Sequence, residues 1–383
     1  MNEPRRVLLI FGTRPEAIKL APLVLALRDA QWCQPVVAVT AQHREMLDQV
    51  MGLFGIVADH DLDLLRPGQS LSELTARAIR ALDPVIEATG PDVVVVQGDT
   101  TTTFAGALAA FYRQVPVVHV EAGLRTHDPL SPYPEEINRR LTTQLSTLHL
   151  AATSQARRNL ERDGVEPSCI TITGNTVIDA LRWAVDHHVP YDNEVLEAVD
   201  RSGRPLVLVT AHRRESWGEG MVSIGQSLAD IAAQRPDVDI VFPMHRNPLV
   251  RDAIRPSVEP YANVHVVEPL PYGAFSRLMH RATVVLTDSG GVQEEAPSLG
   301  KPVLVMRTTT ERPEAVTAGT AKLVGTDRHR IATEVLTLLG DTEAYARMAN
   351  AVNPYGDGHA SPRTVAAIAE LLGVGSRLPE FGG

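Results

Sequence analysis

Thr287-Asp288-Ser289-Gly290-Gly291-Val292-Gln293-Glu294-Glu295 is the stretch that decides how this chain folds. The apolar run before it, 282–286, predicts a buried strand, and residues 292–299 predict a helix that ends at Gly300. Between the strand and the helix, Ser289, Gly290 and Gly291 are expected to form a tight turn. A glycine turn that opens a helix exposes free backbone N–H groups at the positive end of the helix dipole, so it can hold a phosphate group.

Glu295 lies about one helical turn beyond the glycines. A carboxylate there would repel phosphate, but it can accept hydrogen bonds from sugar hydroxyls just beyond it. Pyrophosphate on the turn and ribose on the glutamate would make a nucleoside-diphosphate site. A plain β–α turn with a glutamate matched to the helix dipole explains these residues equally well, because a single glycine-rich turn is weak evidence.

Composition limits the classes of protein that the chain can belong to. Its 383 residues predict two domains, and 44% apolar residues suffice for a core in each. The net charge of −10 argues against a nucleic-acid binder or a protein that binds anionic membranes. Cys33 and Cys169 lack C-x-x-C spacing, so they predict neither a disulfide framework nor a thiolate metal site and fit a reducing cytoplasm. The short apolar run 7–11 predicts a first strand, not a signal peptide, and no run reaches transmembrane length.

Continuous Val, Ile and Leu runs alternate with helical patterns along the chain. This alternation predicts α/β structure with parallel sheets covered by helices on both faces. We expect two Rossmann-like, doubly wound domains. The first is predicted to span 1–173, with a C-terminal helix at about 361–375 packing back on it, and the second to span 174–360.

Polar, glycine-bearing and charged clusters come directly after predicted strands in both halves of the chain. Ligands of open α/β sheets bind at the carboxyl ends of the strands. Two such sheets with these edges facing each other would define a cleft, so the pattern predicts a small-molecule site between the domains. The clusters are 12–16, 41–44, 98–100, 121–125, 211–215, 244–247, 268–272 and 307–314.

Several familiar chemistries lack their motifs in this sequence. There is no G-x-G-x-x-G after a strand, no P-loop, no H-E-x-x-H or Cys/His cluster and no G-x-S-x-G elbow. A classical nicotinamide dehydrogenase, a P-loop kinase, a zinc enzyme and a serine hydrolase are therefore not expected. What remains is a set of acids, and a set of cations that could neutralise a diphosphate and its leaving charge. These cations are Arg14, Lys19, His212, Arg213 and Arg312.

Three carboxylates are expected at or near strand ends of the first half: Asp99, Glu121 and Glu135. A carboxylate that ends a buried strand is costly unless it is paired or used. Asp99 could instead cap a helix, and Glu135 could match a helix dipole. Glu121, expected directly after a strand, has the weakest structural explanation. His119 lies inside a predicted strand and is interpreted as a hydrogen-bonded core residue.

Long and unusual segments, in order along nearly the whole chain, resemble one family, the bacterial non-hydrolysing UDP-N-acetylglucosamine 2-epimerases. The resemblance implies a glycosyltransferase-B type fold, a UDP-binding second domain and a homodimer, with no metal or redox cofactor. The segments are FGTRPEAIKLAPLV, TAQHREMLDQV, GDTTTTFAGALAAFY, HVEAGLRT, SPYPEE, GNTVIDAL, TAHRRES, TDSGGVQEEAPSLGKPVLVMR, TTERPEAVTAGT and NPYGDG.

The activity that the resemblance implies is the interconversion of UDP-N-acetylglucosamine and UDP-N-acetylmannosamine for cell-surface polysaccharide synthesis. The C2 proton is not acidic, because no carbonyl lies beside it in the ring. Loss of UDP from C1 makes its removal possible, giving an acetamidoglucal to which UDP adds again, with the proton returning on the other face. The enzyme must hold both pieces, so domain closure is expected.

The resemblance also implies roles for individual residues. The three carboxylates would transfer protons at C2, with Glu121 favoured, while His212 would stabilise or protonate the departing diphosphate. The implied catalytic set is Asp99, Glu121, Glu135 and His212. The implied substrate-binding set is Arg14, Lys19, Ser289, Gly290, Glu295 and Arg312, with Phe275 beside the uracil and the backbone near Leu270 reading its edge.

A second, regulatory UDP-N-acetylglucosamine is a further implication, since Gln42, Glu135, Arg213 and His245 match positions that the family uses for it. Some positions depart from the family pattern. Glu45 and Gly68 stand where the family has glutamine and arginine, and Arg66 is a candidate replacement for the missing cation. Gln97, where histidine is common, and Arg246 also differ, which would suit a modified sugar such as a diacetamido uronic acid.

Three other functions stay open at this point. A UDP-sugar glycosyltransferase can share the fold and the nucleotide site, but it needs an acceptor channel, for which the sequence gives no sign. A hydrolysing epimerase would release UDP and free N-acetylmannosamine. A sensor protein would bind the nucleotide sugar without turnover.

Overall fold

The computed structural model describes residues 3–41, 44–66 and 68–382. The chain folds as two compact units. The first unit comprises Met1–Ala180 and Tyr355–Gly383, and the second unit comprises Leu181–Pro354. Among the described residues, no helix combines the length and the apolar character needed to cross a membrane.

A seven-stranded parallel sheet forms the centre of the first unit. Its strands are β1 (Arg5–Phe11), β2 (Cys33–Val39), β3 (His60–Asp61), β4 (Val93–Gln97), β5 (Val117–Ala122), β6 (Leu148–Ala151) and β7 (Ile170–Ile172). Their order across the sheet is β3-β2-β1-β4-β5-β6-β7. The direction of winding reverses between β1 and β4, so the loops after these two strands meet at the sheet's switch point, where α/β sheets bind ligands.

Helices flank this sheet, and their ends follow capping rules. Ser70 and Glu73 form a capping box at one helix start, with the Ser70 Oγ accepting from the Glu73 N–H and the Glu73 carboxylate accepting from the Ser70 N–H. Gly90 ends the same helix with a φ of 53°, a left-handed conformation that glycine adopts without strain. The helices are α1 (Arg14–Asp29), α2 (Arg44–Leu53), α3 (Leu71–Thr89), α4 (Thr101–Tyr112), α5 (Glu135–Leu145) and α6 (Ser154–Arg162). The next helix, α7 (Thr176–Asp186), contains the boundary between the two units.

The second unit repeats this winding with six parallel strands. They are β8 (Leu206–Thr210), β9 (Asp239–Pro243), β10 (Val264–Val267), β11 (Val284–Thr287), β12 (Val303–Val305) and β13 (Ala321–Leu323). The order β10-β9-β8-β11-β12-β13 puts the switch point between β8 and β11. The helices of this unit are α8 (Glu194–Ser202), α9 (Glu219–Gln234), α10 (Pro248–Val258), α11 (Tyr272–Arg281), α12 (Gly290–Glu295), α13 (Pro313–Thr317), α14 (Arg328–Gly340) and α15 (Thr342–Ala349).

The last helix, α16 (Ala360–Leu371), belongs to the first unit and packs against α1. The central strands are apolar on both faces, as all five residues of β4 are buried. Strands covered by helices on both faces need such continuous apolar runs, because neither face meets water. The prediction of two doubly wound α/β sheets is confirmed.

Two local expectations are wrong. Ser289 is the N-cap of α12, and Gly290 is its first residue, so the double glycine lies within the first helical turn. The helix is also shorter than expected, because it changes at Ala296–Leu299 to a 3-10 helix that contains Pro297. Proline lacks the N–H that would continue the α-helical hydrogen bonds.

Candidate active site

The Glu121 carboxylate accepts hydrogen bonds from three side chains of the first unit. Its Oε1 lies 2.5 Å from the Lys19 ammonium of α1 and 3.2 Å from the Asn175 side-chain amide, both of which donate. The Gln97 side-chain amide, from the end of β4, donates to Oε2. Its side chain is only 7% exposed, so these donors replace the water that an exposed carboxylate would have.

Glu121 does not follow strand β5, as the sequence suggested, but lies inside it at an irregularity. The register between β5 and β6 shifts between Val120 and Ala122, and Glu121 has a φ of 60°. Bulges of this kind re-aim a side chain next to functional sites. A left-handed glutamate is uncommon and costs about 1–3 kcal/mol, which the surrounding contacts must offset.

Asp99 follows β4, but it is not the helix cap considered from the sequence, because Thr100 is the N-cap of α4. The Asp99 carboxylate accepts instead from Arg139 at 2.6 and 3.2 Å. Arg139 also donates to the fully buried Glu136 at 2.8 Å. Glu135 is the half-buried first residue of the same helix, α5. The structure thus brings Asp99 and Glu121 to neighbouring strand ends and ties α5, which begins with Glu135, to Asp99.

Glu16 joins the two loops at the switch point of the first unit, and the sequence did not reveal this. Its Oε2 accepts from the backbone N–H groups of Gly12 and Thr13, and its Oε1 accepts from Thr100 and Thr103. Burial raises the pKa of Glu16, and these hydrogen bonds counteract only part of that effect. The only sequence signal was its position three residues after Thr13, which is the N-cap of α1.

Arg14 and Lys19 both lie on α1, which begins directly after this loop. Arg14 is the first helical residue and is half-buried. Lys19 faces Glu121, as described above. Gly12 is required where the loop starts, because a Cβ there would lie 2.0 Å from Thr40 Oγ1 and 2.7 Å from Thr102 Oγ1.

Two histidines lie in the sheet beneath these residues. His119 is fully buried, its Nε2 is 2.7 Å from the Gly98 carbonyl oxygen, and burial lowers its pKa to about 3. His149 of β6 is paired with His119 of β5, and burial lowers the pKa of His149 to about 4. The interpretation of His119 as a core residue is confirmed, and both rings are neutral at pH 7.

His212 and Asp288 meet at the switch point of the second unit. His212 follows β8, Asp288 follows β11, and these strands are neighbours. The His212 Nδ1 lies 3.1 Å from Oδ1 of Asp288, whose side chain is fully buried. Burial alone would raise the pKa of Asp288, but His212 and the backbone N–H groups of His212 and Arg213 hold it below its ordinary value.

Arg213 and His245 lie beside this pair. The His245 ring stacks on His212 with 6.0 Å between centroids, and burial and the neighbouring His212 lower its pKa. The Arg213 guanidinium lies beside the start of α12, since its Nη2 is 3.7 Å from where a Cβ on Gly290 would be. Gln42, the third predicted regulatory residue, lies outside the described residues. Arg66 is exposed and bonds to carbonyl oxygens of its own loop.

The remaining predicted substrate-binding residues of the second unit also follow strands. Ser289 and Gly290 start α12 after β11, and the buried Glu295 ends that helix. Arg312 precedes α13, and its Nε donates to the Glu294 carboxylate. The N–H groups of a first helical turn have no acceptor within the helix, so this turn can receive an anion.

Leu270 and Phe275 lie after β10. Leu270 is in the loop between β10 and α11, and Phe275 is in the first turns of α11, where its N–H donates to the Pro271 carbonyl at 2.9 Å. Both side chains are half-buried. An apolar ring with backbone groups nearby can stack on a planar base and bond to its edge.

The chain is similar in sequence to a known family of enzymes. Residues 25–369 match the family model described as UDP-N-acetylglucosamine 2-epimerase. The protein of that name from Escherichia coli K12 is 54% identical over 368 residues, which cover 95% of this chain and 98% of that protein.

Solved structures agree with this match. A putative UDP-N-acetylglucosamine 2-epimerase from Listeria monocytogenes is 46% identical, with a TM-score of 0.93 and 99% of each chain covered. The Neisseria meningitidis enzyme, solved bound to UDP-GlcNAc, is 48% identical, with a TM-score of 0.82 and coverage of 95% of this chain and 100% of that one. The glycotransferase of kitacinnamycin, 14% identical with a TM-score of 0.66, shares only the fold, which is of the glycosyltransferase-B type. By its family match and these identities, the chain belongs to the UDP-N-acetylglucosamine 2-epimerase family.

Proposed function

We propose that this enzyme catalyses the reversible epimerisation at C2 that converts UDP-N-acetylglucosamine into UDP-N-acetylmannosamine. The family membership and the 54% identity to the Escherichia coli epimerase support this proposal. The observation that carries it is Glu121, a buried carboxylate held by three side-chain donors at the carboxyl edge of a parallel sheet. A carboxylate ordered in this way is suited to proton transfer at a fixed carbon.

The reaction is an elimination followed by an addition. A base takes the C2 proton while the C1–O bond breaks, and the electron pair of the C2–H bond becomes the C1–C2 double bond of 2-acetamidoglucal. UDP leaves with the electrons of the C1–O bond. Addition of UDP to C1 and of a proton to the opposite face of C2 gives the epimer. No electrons are exchanged with another molecule, so the proposal requires no redox cofactor, and the positive groups below take the place of a metal at the diphosphate.

The carboxylates of the first unit have the proton-transfer role. Glu121 is the favoured base, because the Lys19 ammonium at 2.5 Å favours its ionised form. The Asp99 carboxylate accepts a hydrogen bond from Arg139, which lies on α5. Glu135 is the first residue of that helix. Asp99 and Glu135 are the candidates for proton delivery to the other face of C2.

The second unit has the nucleotide role. His212 faces the departing diphosphate and stabilises or protonates it, while Ser289 offers its hydroxyl and Gly290 its backbone N–H to the diphosphate oxygens. Arg14 and Arg312 add positive charge. Glu295 accepts hydrogen bonds from the ribose, and Phe275 stacks beside the uracil whose edge the backbone near Leu270 reads.

A second UDP-N-acetylglucosamine acts as a regulator in this proposal, bound by Gln42, Glu135, Arg213 and His245. The stacking of His245 on His212 supports a coupling between the two ligands. The rate should then rise sigmoidally with UDP-N-acetylglucosamine concentration. His245→Ala should make the curve hyperbolic, and a wild-type curve that is already hyperbolic would contradict the regulatory site.

The enzyme acts as a homodimer, and the face formed by α4 and α5 is the proposed interface. These two helices pack together and expose four large apolar side chains, at 36–66% of their surface. Hollows on either side of Gln144 continue the same face. Exposed contiguous apolar patches mark interaction sites. The four side chains are Phe111, Tyr112, Ile137 and Leu141.

Sedimentation velocity tests the interface. The wild type should sediment as a dimer, and Tyr112→Asp with Leu141→Asp as a monomer. Val57→Asp, which changes another exposed apolar residue, should stay dimeric. A dimer that survives the double change would contradict this interface.

The nucleotide-sugar substrate and the unbonded thiols of Cys33 and Cys169 support a cytoplasmic location.

Product analysis tests the function. The protein is incubated with UDP-N-acetylglucosamine without any acceptor, and the sugars are separated and identified. UDP-N-acetylmannosamine with its diphosphate intact is the expected product. Free N-acetylmannosamine would indicate hydrolysis, and no change would contradict epimerisation of this sugar. UDP-diacetamido-glucuronic acid, tested in parallel, distinguishes an epimerase of a modified sugar from a transferase or a sensor.

A further inference from the structure

The carboxylate of Asp288 has no role in the proposed chemistry, although it lies at the centre of the second unit's switch point. Strands β8 and β11 pair in parallel with Thr210 opposite Thr287. Their side-chain hydroxyls are 2.5 Å apart. The residues that follow each strand therefore start from a fixed position, and this places Asp288 against His212.

Asp288 fixes the backbone on which His212 stands. Its Oδ2 accepts from the N–H of His212 at 2.7 Å and from the N–H of Arg213 at 2.8 Å. The side chain is fully buried, and a buried carboxylate must have such partners to remain charged. The loop after β8 is thereby held by two charge-assisted hydrogen bonds.

The second oxygen of Asp288 faces the imidazole ring itself. Among the described residues, no well-aligned hydrogen bond reaches Oδ1, but His212 Nδ1 lies only 3.1 Å from it. The ring is 40% exposed, so its Nε2 side is open. The other ionisable neighbours are His245, stacked at 6.0 Å, and Arg213.

We propose that Asp288 is a positioning residue for His212: its buried carboxylate holds the ring with Nδ1 as the N–H donor, so that Nε2 meets the substrate. The inference rests on the proposed function for its catalytic part. A neutral imidazole has one N–H, and the partner of one nitrogen determines which nitrogen carries it. An orienting carboxylate makes Nε2 the site that exchanges a proton with the leaving diphosphate, and it stabilises the imidazolium when that site is protonated.

The chain supplies a matched control. Asp239, at the start of β9, is also a buried aspartate of the second unit, and its Oδ1 lies 3.1 Å from the His265 ring and 3.2 Å from the Arg204 guanidinium. This pair lies at the amino end of its strand, away from the edge that bears His212. Loss of this carboxylate shows what a buried aspartate in contact with a histidine contributes to folding at a position away from the proposed site.

The wild-type protein gives the first test, by nitrogen NMR of ¹⁵N-histidine-labelled enzyme at a pH where the His212 ring is neutral. The resonance that disappears in His212→Gln identifies the ring. We expect Nδ1 to carry the proton. A ring protonated at Nε2 alone would overturn the inference, and this outcome does not depend on the folding of a variant.

Kinetics give the second test. Asp288→Asn should lower kcat for epimerisation roughly 100-fold, the scale of one general acid–base group, with UDP affinity and KM little changed. Asp239→Asn should keep wild-type kcat. An equal loss in both variants, or full activity in Asp288→Asn, would overturn the inference.

A double variant separates positioning from a structural effect. In the His212→Gln background, Asp288→Asn should cause no further loss, because the two residues act as one unit. A further 100-fold loss would show that Asp288 acts without His212, and would overturn the inference. Full activity of His212→Gln alone would contradict the proposed role of His212 and with it the catalytic part of the inference, while the NMR result tests the contact separately.

Discussion

The ammonium of Lys19 lies 2.5 Å from Oε1 of Glu121, although 102 positions separate the two residues along the chain. Their side chains are only 18% and 7% exposed. Removal of one partner from such a pair leaves an uncompensated charge, which is far more harmful than removal of both. The pair therefore links helix α1 to strand β5 and orders the carboxylate proposed as the base.

Glu121→Gln should abolish proton exchange at C2 and leave UDP binding nearly intact. The amide keeps the shape of the side chain but cannot take a proton, so a loss of about 10²–10⁴-fold is expected. Mass spectrometry of the substrate after incubation in heavy water measures the exchange, and calorimetry measures UDP binding. Exchange at the wild-type rate in this variant would remove Glu121 from the mechanism.

Gln97 should influence the rate through Glu121, because its side-chain amide donates to that carboxylate. Gln97→Met removes the donor from a charged acceptor, an interaction worth about 1.5–3 kcal/mol, and should lower kcat by roughly 10–100-fold. Gln97→His restores an N–H donor and should recover most of the loss. Equal kcat in Gln97→Met and the wild type would show that this hydrogen bond does not serve catalysis.

Gly12→Ala should destabilise the protein because the added Cβ would clash with the Thr40 and Thr102 hydroxyls. Overpacking of this kind costs roughly 1–3 kcal/mol. Gly52, in helix α2, has open space around it, so Gly52→Ala should be neutral or stabilising by up to about 1 kcal/mol. Urea unfolding compares the two, and a Gly12→Ala variant as stable as Gly52→Ala would contradict the crowding seen here.

His149 should make the first unit sensitive to acid. Its pKa is lowered by burial to about 4, whereas an unfolded histidine titrates near 6.5. Between these values the unfolded chain binds a proton that the folded chain does not, so stability falls as pH drops from about 6.5 to 4. The slope approaches about 1.4 kcal/mol per pH unit for each such histidine.

His149→Gln should therefore flatten the decline in unfolding free energy between pH 6 and pH 5, as measured by urea titration. His119, whose pKa burial lowers to about 3, remains and retains its own share of the slope. The exposed His329 is the control, and His329→Gln should leave the slope unchanged. Parallel pH profiles for His149→Gln and the wild type would contradict this assignment.

Local patterns made much of the fold predictable. The helix Leu71–Thr89 and the strand Val93–Gln97 can be located from local sequence signals, because the first carries its own cap and the second is a nearly continuous valine run. The two-residue strand His60–Asp61 was missed, since so short a segment has no periodicity. Its place is determined by pairing with β2.

The sequence indicated which candidate residues follow strands, but it did not indicate the contacts between them. The sequence assigned Lys19 to the substrate and could not indicate its contact with Glu121, which depends on tertiary packing. Arg139 was overlooked because only the structure places it against Asp99. Asp288 belongs to the segment 287–295, but its contact with His212 could not be predicted because 76 positions separate the two residues.

Incorporation of deuterium at C2 is the measurement that tests the central claim most directly. The wild-type enzyme is incubated in heavy water with UDP-N-acetylglucosamine and no acceptor, and both epimers are recovered and analysed by NMR. The account predicts deuterium at C2 of UDP-N-acetylmannosamine, with UDP still attached at C1. Formation of the epimer with the original C2 hydrogen retained, or no reaction at all, would contradict it.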